Sequence, residues 1–274
     1  MSLEAPFPDL DELVTAIGDA GSRLSDIGAT EGAAGNISVC LGWPVDARRK
    51  FPLEEQIELP HPVPGLASCT LLVTGSGRRL REIRIDPIAN LGVLKIEPGG
   101  KTAILYTSPR RLFTRLTSEL NSHLAIHEDQ FLNSGTNFNT FVHAQPLYLT
   151  YLSHIKTYQD FYYLNRHLLR WQPEAIVNLP EGIGVVPFLV PGSDDLMAHT
   201  KEMLRHHRLV VWSKHGVVSR SDQSVKRATD RIEYAETAAH YEYMDLVNHS
   251  AAQGLTEDEI RQICVSLGIN QSIF

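Results

Sequence analysis

The sequence predicts an α/β fold in one domain spanning residues 1–274. Three observations point there. Helix-type and strand-type apolar spacings alternate along the whole chain, no Pro/Gly/Ser-rich linker divides it, and no internal repeat is present. The apolar fraction of 43% against 21% charged residues is that of a globular protein able to bury a sizeable core.

From Asp9 to about Leu24, apolar residues recur at three- and four-residue steps, predicting an amphipathic helix capped by Asp9. The glycine-rich stretch Gly28 to Gly35 leads into a strand from Asn36 to Leu41. Residues 43–65, with their prolines and charges, read as an ordered surface excursion. Strands are expected over 66–74, 92–96 and 102–106, the last two joined at Pro98-Gly99-Gly100. A helix over 118–132, with Glu119 in its first turn, precedes a strand over 137–143 and helical segments over 145–154 and 159–171. Residues 182–189 suit a strand, and Pro191-Gly192-Ser193 opens a helix to about His206. The apolar run Leu209 to Trp212 is a strand that meets Lys214-His215-Gly216. A long helix over 222–248 and a short one over 256–267, begun by Thr256-Glu257-Asp258-Glu259, finish the chain.

The formal net charge of −7 argues against a generic nucleic-acid or anionic-membrane binder. Three cysteines without paired spacing suggest a reducing compartment. The acidic N-terminal stretch MSLEAPFPDLDELV lacks the basic and apolar regions of a secretory signal, and no membrane-spanning apolar run occurs. A cytoplasmic location is expected.

Four segments carry polar groups where strands give way to turns or helices, where α/β proteins usually place their sites. Gly35-Asn36-Ile37-Ser38, taken alone, is turn chemistry before a strand. Thr74-Gly75-Ser76-Gly77 is small enough for backbone N–H groups to approach an anion, with the Thr74 and Ser76 hydroxyls as further donors. Thr117-Ser118-Glu119 is explained by helix capping, yet it also sets hydroxyls beside a carboxylate fit for general acid/base work. His143 and His215, among twelve histidines, share strand-end positions.

In this order the segments resemble the class II aldolase/adducin family. The likeness extends through Asp86 to Gly92, Val190-Pro191-Gly192-Ser193-Asp194 and Trp212 to Val217. It implies a three-layer α/β/α arrangement around a mixed, largely antiparallel sheet. It further implies a zinc-dependent (or other divalent-metal) lyase that cleaves a ketose 1-phosphate, such as L-rhamnulose 1-phosphate, to dihydroxyacetone phosphate and L-lactaldehyde. The match carries Glu119 over as the proton carrier and His143 and His215 as metal ligands. Asn36, Ser76, Gly77, Thr117 and Ser118 become the phosphate site. Family members are commonly tetramers, so a homotetramer is expected.

The chain departs from the family pattern where a first histidine ligand belongs: the segment is Phe141-Val142-His143. Ala33 likewise replaces a polar phosphate contact. Two histidines and a carboxylate still form a known zinc ligand set. His123, one turn past Glu119, or His127 is a candidate third ligand, against the simpler reading of a hydrogen-bonded or surface helix residue. His206-His207 fits a cationic helix end, and His240 and His249 a helix surface. Phe161-Tyr162-Tyr163 suits helix packing. Two other readings stay open: a non-catalytic, adducin-like binding protein, favoured by Phe141, and a related metal-dependent dehydratase or decarboxylase.

Overall fold

Helix α1 (Leu10–Asp26) forms where the apolar spacing places it. Asp9 caps it by accepting the Glu12 N–H at 2.9 Å while the Glu12 carboxylate accepts the Asp9 N–H. The computed structural model describes residues 2–274. Its nine strands are β1 (Asn36–Leu41), β2 (Leu53–Glu58), β3 (Thr70–Thr74), β4 (Leu91–Ile96), β5 (Thr102–Thr107), β6 (Phe138–Ala144), β7 (Gly184–Val186), β8 (Leu209–Trp212) and β9 (Gly216–Ser221). They form one sheet in the order β2-β5-β4-β3-β1-β6-β9-β8-β7. Only the β7–β8 pairing is parallel, so the sheet is mixed and largely antiparallel, as expected.

The helices after α1 are α2 (Leu80–Ile83), α3 (Pro87–Asn90), α4 (Leu120–Ser134), α5 (Leu147–Leu152), α6 (Phe161–Leu168), α7 (Pro173–Asn178), α8 (Asp194–His206), α9 (Val225–Val247) and α10 (Glu257–Leu267). Alternation along the central strands sorts two apolar layers. Ile37, Val39 and Leu41 of β1, with Val142 and Ala144 of β6, pack in the core that holds α1 and α9. Cys40 and Phe141 face the other way, into cores that take in residues of α4 and α8. The result is helices on both faces of the sheet.

Several expected elements move. The excursion over 43–65 contains β2, whose Leu-Glu-Glu-Gln-Ile-Glu sequence is almost wholly exposed. Charge on an edge strand blocks further pairing, and that same charge hides the strand from hydropathy. The strand expected from Leu66 begins at Thr70, after a short 3-10 turn over Pro64–Leu66. The strand expected over 182–189 shrinks to β7, while β9 was not anticipated. The helical segments over 145–154 and 159–171 shorten to α5 and α6 with 3-10 turns around them. Glu119 is itself the cap residue of α4, and its side chain makes no capping bond. The expected Ser/Thr cap is therefore replaced by a carboxylate released for other contacts.

Candidate functional site

Strands β1 and β6 lie side by side in the middle of the sheet with Asn36 opposite His143 and Ser38 opposite Phe141. On this face they meet α4, where Glu119, His123 and His127 recur every four residues and so share one helix side. The turn between β8 and β9 brings in His215, with Lys214 in the left-handed region at φ 66°. Gly216 makes that approach possible. A Cβ there would stand 2.5 Å from the Ala144 carbonyl oxygen and 3.1 Å from His143 Cε1.

Glu119, His143 and His215 converge, their ligand atoms all within 4.8 Å of one another. His143 Nε2 lies 3.9 Å from one carboxylate oxygen, and His215 Nε2 lies 4.0 Å from the other. His143 Nδ1 donates to the Val217 carbonyl at 2.9 Å, since a carbonyl can only accept. In the neutral imidazole this bond fixes the tautomer and turns the lone pair of Nε2 toward the cluster. Burial, with the neighbouring His143, pulls the His215 pKa down to about 4 against the opposing pull of Glu119. Its imidazole is thus neutral at pH 7 with a lone pair to give. The His215 Nδ1 is a buried polar atom with no protein partner. Trp212 stacks on His215 and tilts against His143, walling the pair on one side.

These donors suit a divalent ion. Two imidazoles and one carboxylate form a ligand set that zinc accepts, at about 2.0–2.2 Å per bond. Tetrahedral bonds of that length set donor atoms about 3.4 Å apart, so the gaps of 3.9 and 4.0 Å close by about half an ångström when an ion is held. His123 and His127 do not join the set. Both are fully buried, and each engages both ring nitrogens. Burial lowers the pKa of both, that of His127 to about 3. They are neither ligands nor surface residues, only the hydrogen-bonded histidines of the simpler reading.

The cluster opens into a cavity of about 200 Å³ bounded by Ser76, Gly77, Arg78, Thr117, Ser118 and Pro191. Its two flanking turns are laced together. The Ser76 N–H donates to the Arg115 carbonyl at 2.9 Å and the Thr117 N–H to the Thr74 carbonyl at 3.1 Å. Thr117 Oγ1 also accepts the Glu119 N–H at 3.3 Å. Of the expected hydroxyl donors, Thr74 is corrected: it is buried beneath the turn, and its Oγ1 accepts the Ile37 N–H. Asn36 lines the cavity, but its amide is committed to Glu119 and His123.

Arg78 is the functional candidate that sequence reasoning missed. Its Nε donates to Asn90 Oδ1 and its Nη2 to Glu82 Oε2, both at 2.7 Å, fixing a cation at the cavity wall. The available signal was an arginine directly after Thr74-Gly75-Ser76-Gly77. His207, expected as part of a cationic helix end, is buried instead and bonded to the Glu181 and Gly182 carbonyls, with burial lowering its pKa. His240 is exposed and stacks on Tyr148, in keeping with a helix-surface residue.

Comparison with known proteins identifies the family. The profile of the Class II Aldolase and Adducin N-terminal domain matches residues 15–243, and the chain belongs to the class II aldolase and adducin family. It is 32% identical over 206 residues to a rhamnulose-1-phosphate aldolase of Klebsiella pneumoniae, covering 74% of this chain and 73% of that one. It is also 32% identical over 223 residues to the rhamnulose-1-phosphate aldolase of Yersinia pestis, 80% of each chain. Among solved structures, a sugar-phosphate aldolase from Thermotoga maritima superposes with a TM-score of 0.76 at 30% identity, covering 87% of this chain and 97% of that one.

Proposed function

We propose that the chain is a metal-dependent sugar-phosphate aldolase that reversibly cleaves a ketose 1-phosphate to dihydroxyacetone phosphate and an aldehyde. L-rhamnulose 1-phosphate, giving L-lactaldehyde, is the first substrate to test. The observation that carries this reading is the Glu119–His143–His215 cluster opening into a cavity walled by hydroxyls and Arg78. Relatives named rhamnulose-1-phosphate aldolase support the choice of sugar. A divalent ion bound there, zinc in the first instance, supplies Lewis acidity to the oxygens of the fragment that keeps the electrons of the broken bond.

The chain's own residues do the rest. The Glu119 carboxylate takes the hydroxyl proton from the carbon that becomes the aldehyde, the neighbouring carbon–carbon bond breaks, and Glu119 returns the proton to the carbon left behind. Ser76, Gly77, Thr117 and Ser118 hold the phosphate with Arg78 beside them, and Asn36 holds Glu119. Trp212 keeps one side of the histidine pair dry. The one sheet running from residue 36 to 221 supports a single domain. Exposed Leu147, Tyr151, Met244 and Val247 on α5 and α9 support assembly of copies, a homotetramer by family likeness. Three free cysteines favour a cytoplasmic setting.

A second reading has one observation in its favour. Phe141, where the family pattern has a histidine, is fully buried against the His123 ring, as in a protein that keeps the fold without the reaction. The deciding experiment is release of dihydroxyacetone phosphate from L-rhamnulose 1-phosphate and other ketose 1-phosphates, with zinc added and after chelation. Metal-dependent release supports the aldolase. No release from any of them, by protein carrying one equivalent of metal, turns the choice to the binding protein or to a dehydratase or decarboxylase.

A further inference from the structure

A run of buried polar side chains leads away from Glu119 into the layer between the sheet and α4. Asn36 Nδ2 donates to Glu119 Oε2 at 2.7 Å, and Asn36 Oδ1 meets His123 Nε2 at 2.5 Å. His123 Nδ1 meets Ser38 Oγ at 2.5 Å, Ser38 Oγ meets His127 Nε2 at 2.7 Å, and His127 Nδ1 meets Asn139 Nδ2 at 2.8 Å. Ser38, His123 and His127 are entirely buried, and Asn139 is 1% exposed.

The direction of every bond follows from the carboxylate end. An ionised carboxylate only accepts, so Asn36 must turn its nitrogen toward Glu119 and its oxygen toward His123. That oxygen only accepts, so His123 Nε2 carries the proton. Burial keeps His123 neutral, so its Nδ1 accepts from the Ser38 hydroxyl. Ser38 Oγ then accepts from His127 Nε2–H, which leaves His127 Nδ1 to accept from the Asn139 amide. Each donor points toward the reacting centre.

We propose that Ser38, His123 and His127 are positioning residues for Glu119, acting through Asn36 as a one-way hydrogen-bond chain that fixes the carboxylate between His143 and His215. The proposal deepens the function above and rests on Glu119 working at that centre. A packing role alone does not account for the residue choice. Two imidazoles, a hydroxyl and two amides in a buried layer that opens only at Asn36 are costly compared with well-fitted apolar side chains, unless every member is satisfied and the arrangement is needed. Phe141, opposite Ser38 across the strands, sets its ring at 75° to that of His123 with centroids 4.6 Å apart. The residue that displaces the family's first histidine thus packs against the middle of the chain and limits where His123 can turn.

The test begins with the metal-free protein. Nitrogen-15 NMR of the imidazoles is expected to show both His123 and His127 as Nε2–H tautomers; an Nδ1–H tautomer at either overturns the chain. His123→Leu removes the link, and His123→Gln offers an N–H toward Asn36 again. In His123→Leu, kcat for ketose 1-phosphate cleavage is expected to fall about tenfold or more with KM within about twofold, and His123→Gln to recover most of it. The visible spectrum of the cobalt-substituted protein should shift in His123→Leu and return in His123→Gln. A folded His123→Leu with unchanged kcat and cobalt spectrum overturns the proposal, because a structural role alone lowers only the melting temperature. If His123→Leu does not fold, Ser38→Ala cuts the chain one link further out with a smaller change, and an unchanged kcat and cobalt spectrum there overturns the proposal in the same way. If the wild type cleaves no ketose 1-phosphate, the NMR and cobalt arms still decide the chain, so its failure is distinguishable from failure of the aldolase reading.

Discussion

Gly75→Ala tests whether the two turns flanking the cavity act as one phosphate cradle. A Cβ at Gly75 would stand 2.3 Å from Phe113 Cδ1 and Cγ and 2.8 Å from Phe113 Cβ, where ordinary contact begins at 3.4 Å. The buried Phe113 ring must therefore retreat by about 1 Å, an overpacking that costs about 1–3 kcal/mol. Phe113 packs with Leu116 and Leu120, and Gly75 bridges to Leu116 across the same seam. The easiest relief parts residues 74–77 from residues 113–118, which carry Ser76, Gly77, Thr117 and Ser118. Each kcal/mol should lower the melting temperature by about 2–4 °C. KM for the sugar phosphate should rise about tenfold, equivalent to about 1.4 kcal/mol of binding, with kcat within about threefold. Calorimetry and a steady-state cleavage assay check both. A lowered melting temperature with unchanged KM would refute the cradle, and an unchanged melting temperature would refute the packing.

Two further predictions concern the buried polar groups. Burial would push the Glu242 carboxyl up, but donation from His167, Tyr158 and Trp171 outweighs it and holds the pKa at about 2, below the usual 4.5. Because the folded value is depressed, its stabilisation is present above pH 4.5 and is lost as pH falls toward 2, about 3 kcal/mol in all. Denaturant unfolding between pH 5 and pH 3 should show Glu242→Gln losing much less stability than the wild type; parallel losses would contradict this. Phe141→His puts a polar ring into an apolar pocket, destabilising the metal-free protein by about 2 kcal/mol. It also restores a ligand type two residues from His143 on the same strand face, so added zinc should raise its melting temperature more than that of the wild type. Equal shifts would mean position 141 does not reach the metal.

The elements with strong periodicity were legible. The apolar spacing of α1, the runs of β1 and β8, and the Thr256 capping box of α10 all formed where their residues placed them. What failed to show had a physical cause. Strand β2 carries edge charge in place of alternation, and β9 follows β8 through a turn whose glycine and Lys214 look like loop residues. The site was legible as short motifs in order, because Glu119, His143 and His215 each sit at an element boundary. The hydrogen-bond chain was not. His123 and His127 match Asn36, Ser38 and Asn139 only through the register of β1 on β6 and the docking of α4, which no local pattern encodes. Arg78 was hidden likewise, because its place at the cavity depends on Glu82 and Asn90.

Glu119, His143 and His215 are proposed to form a divalent-metal site without a histidine at position 141. Its most direct test is the zinc content of purified protein that has been stripped with a chelator, reloaded and dialysed, for the wild type beside His143→Ala and His215→Ala. Close to one zinc per wild-type chain and a marked loss in both variants are expected. A wild type that retains no divalent ion after reloading, or histidine variants that hold as much as the wild type, would contradict it.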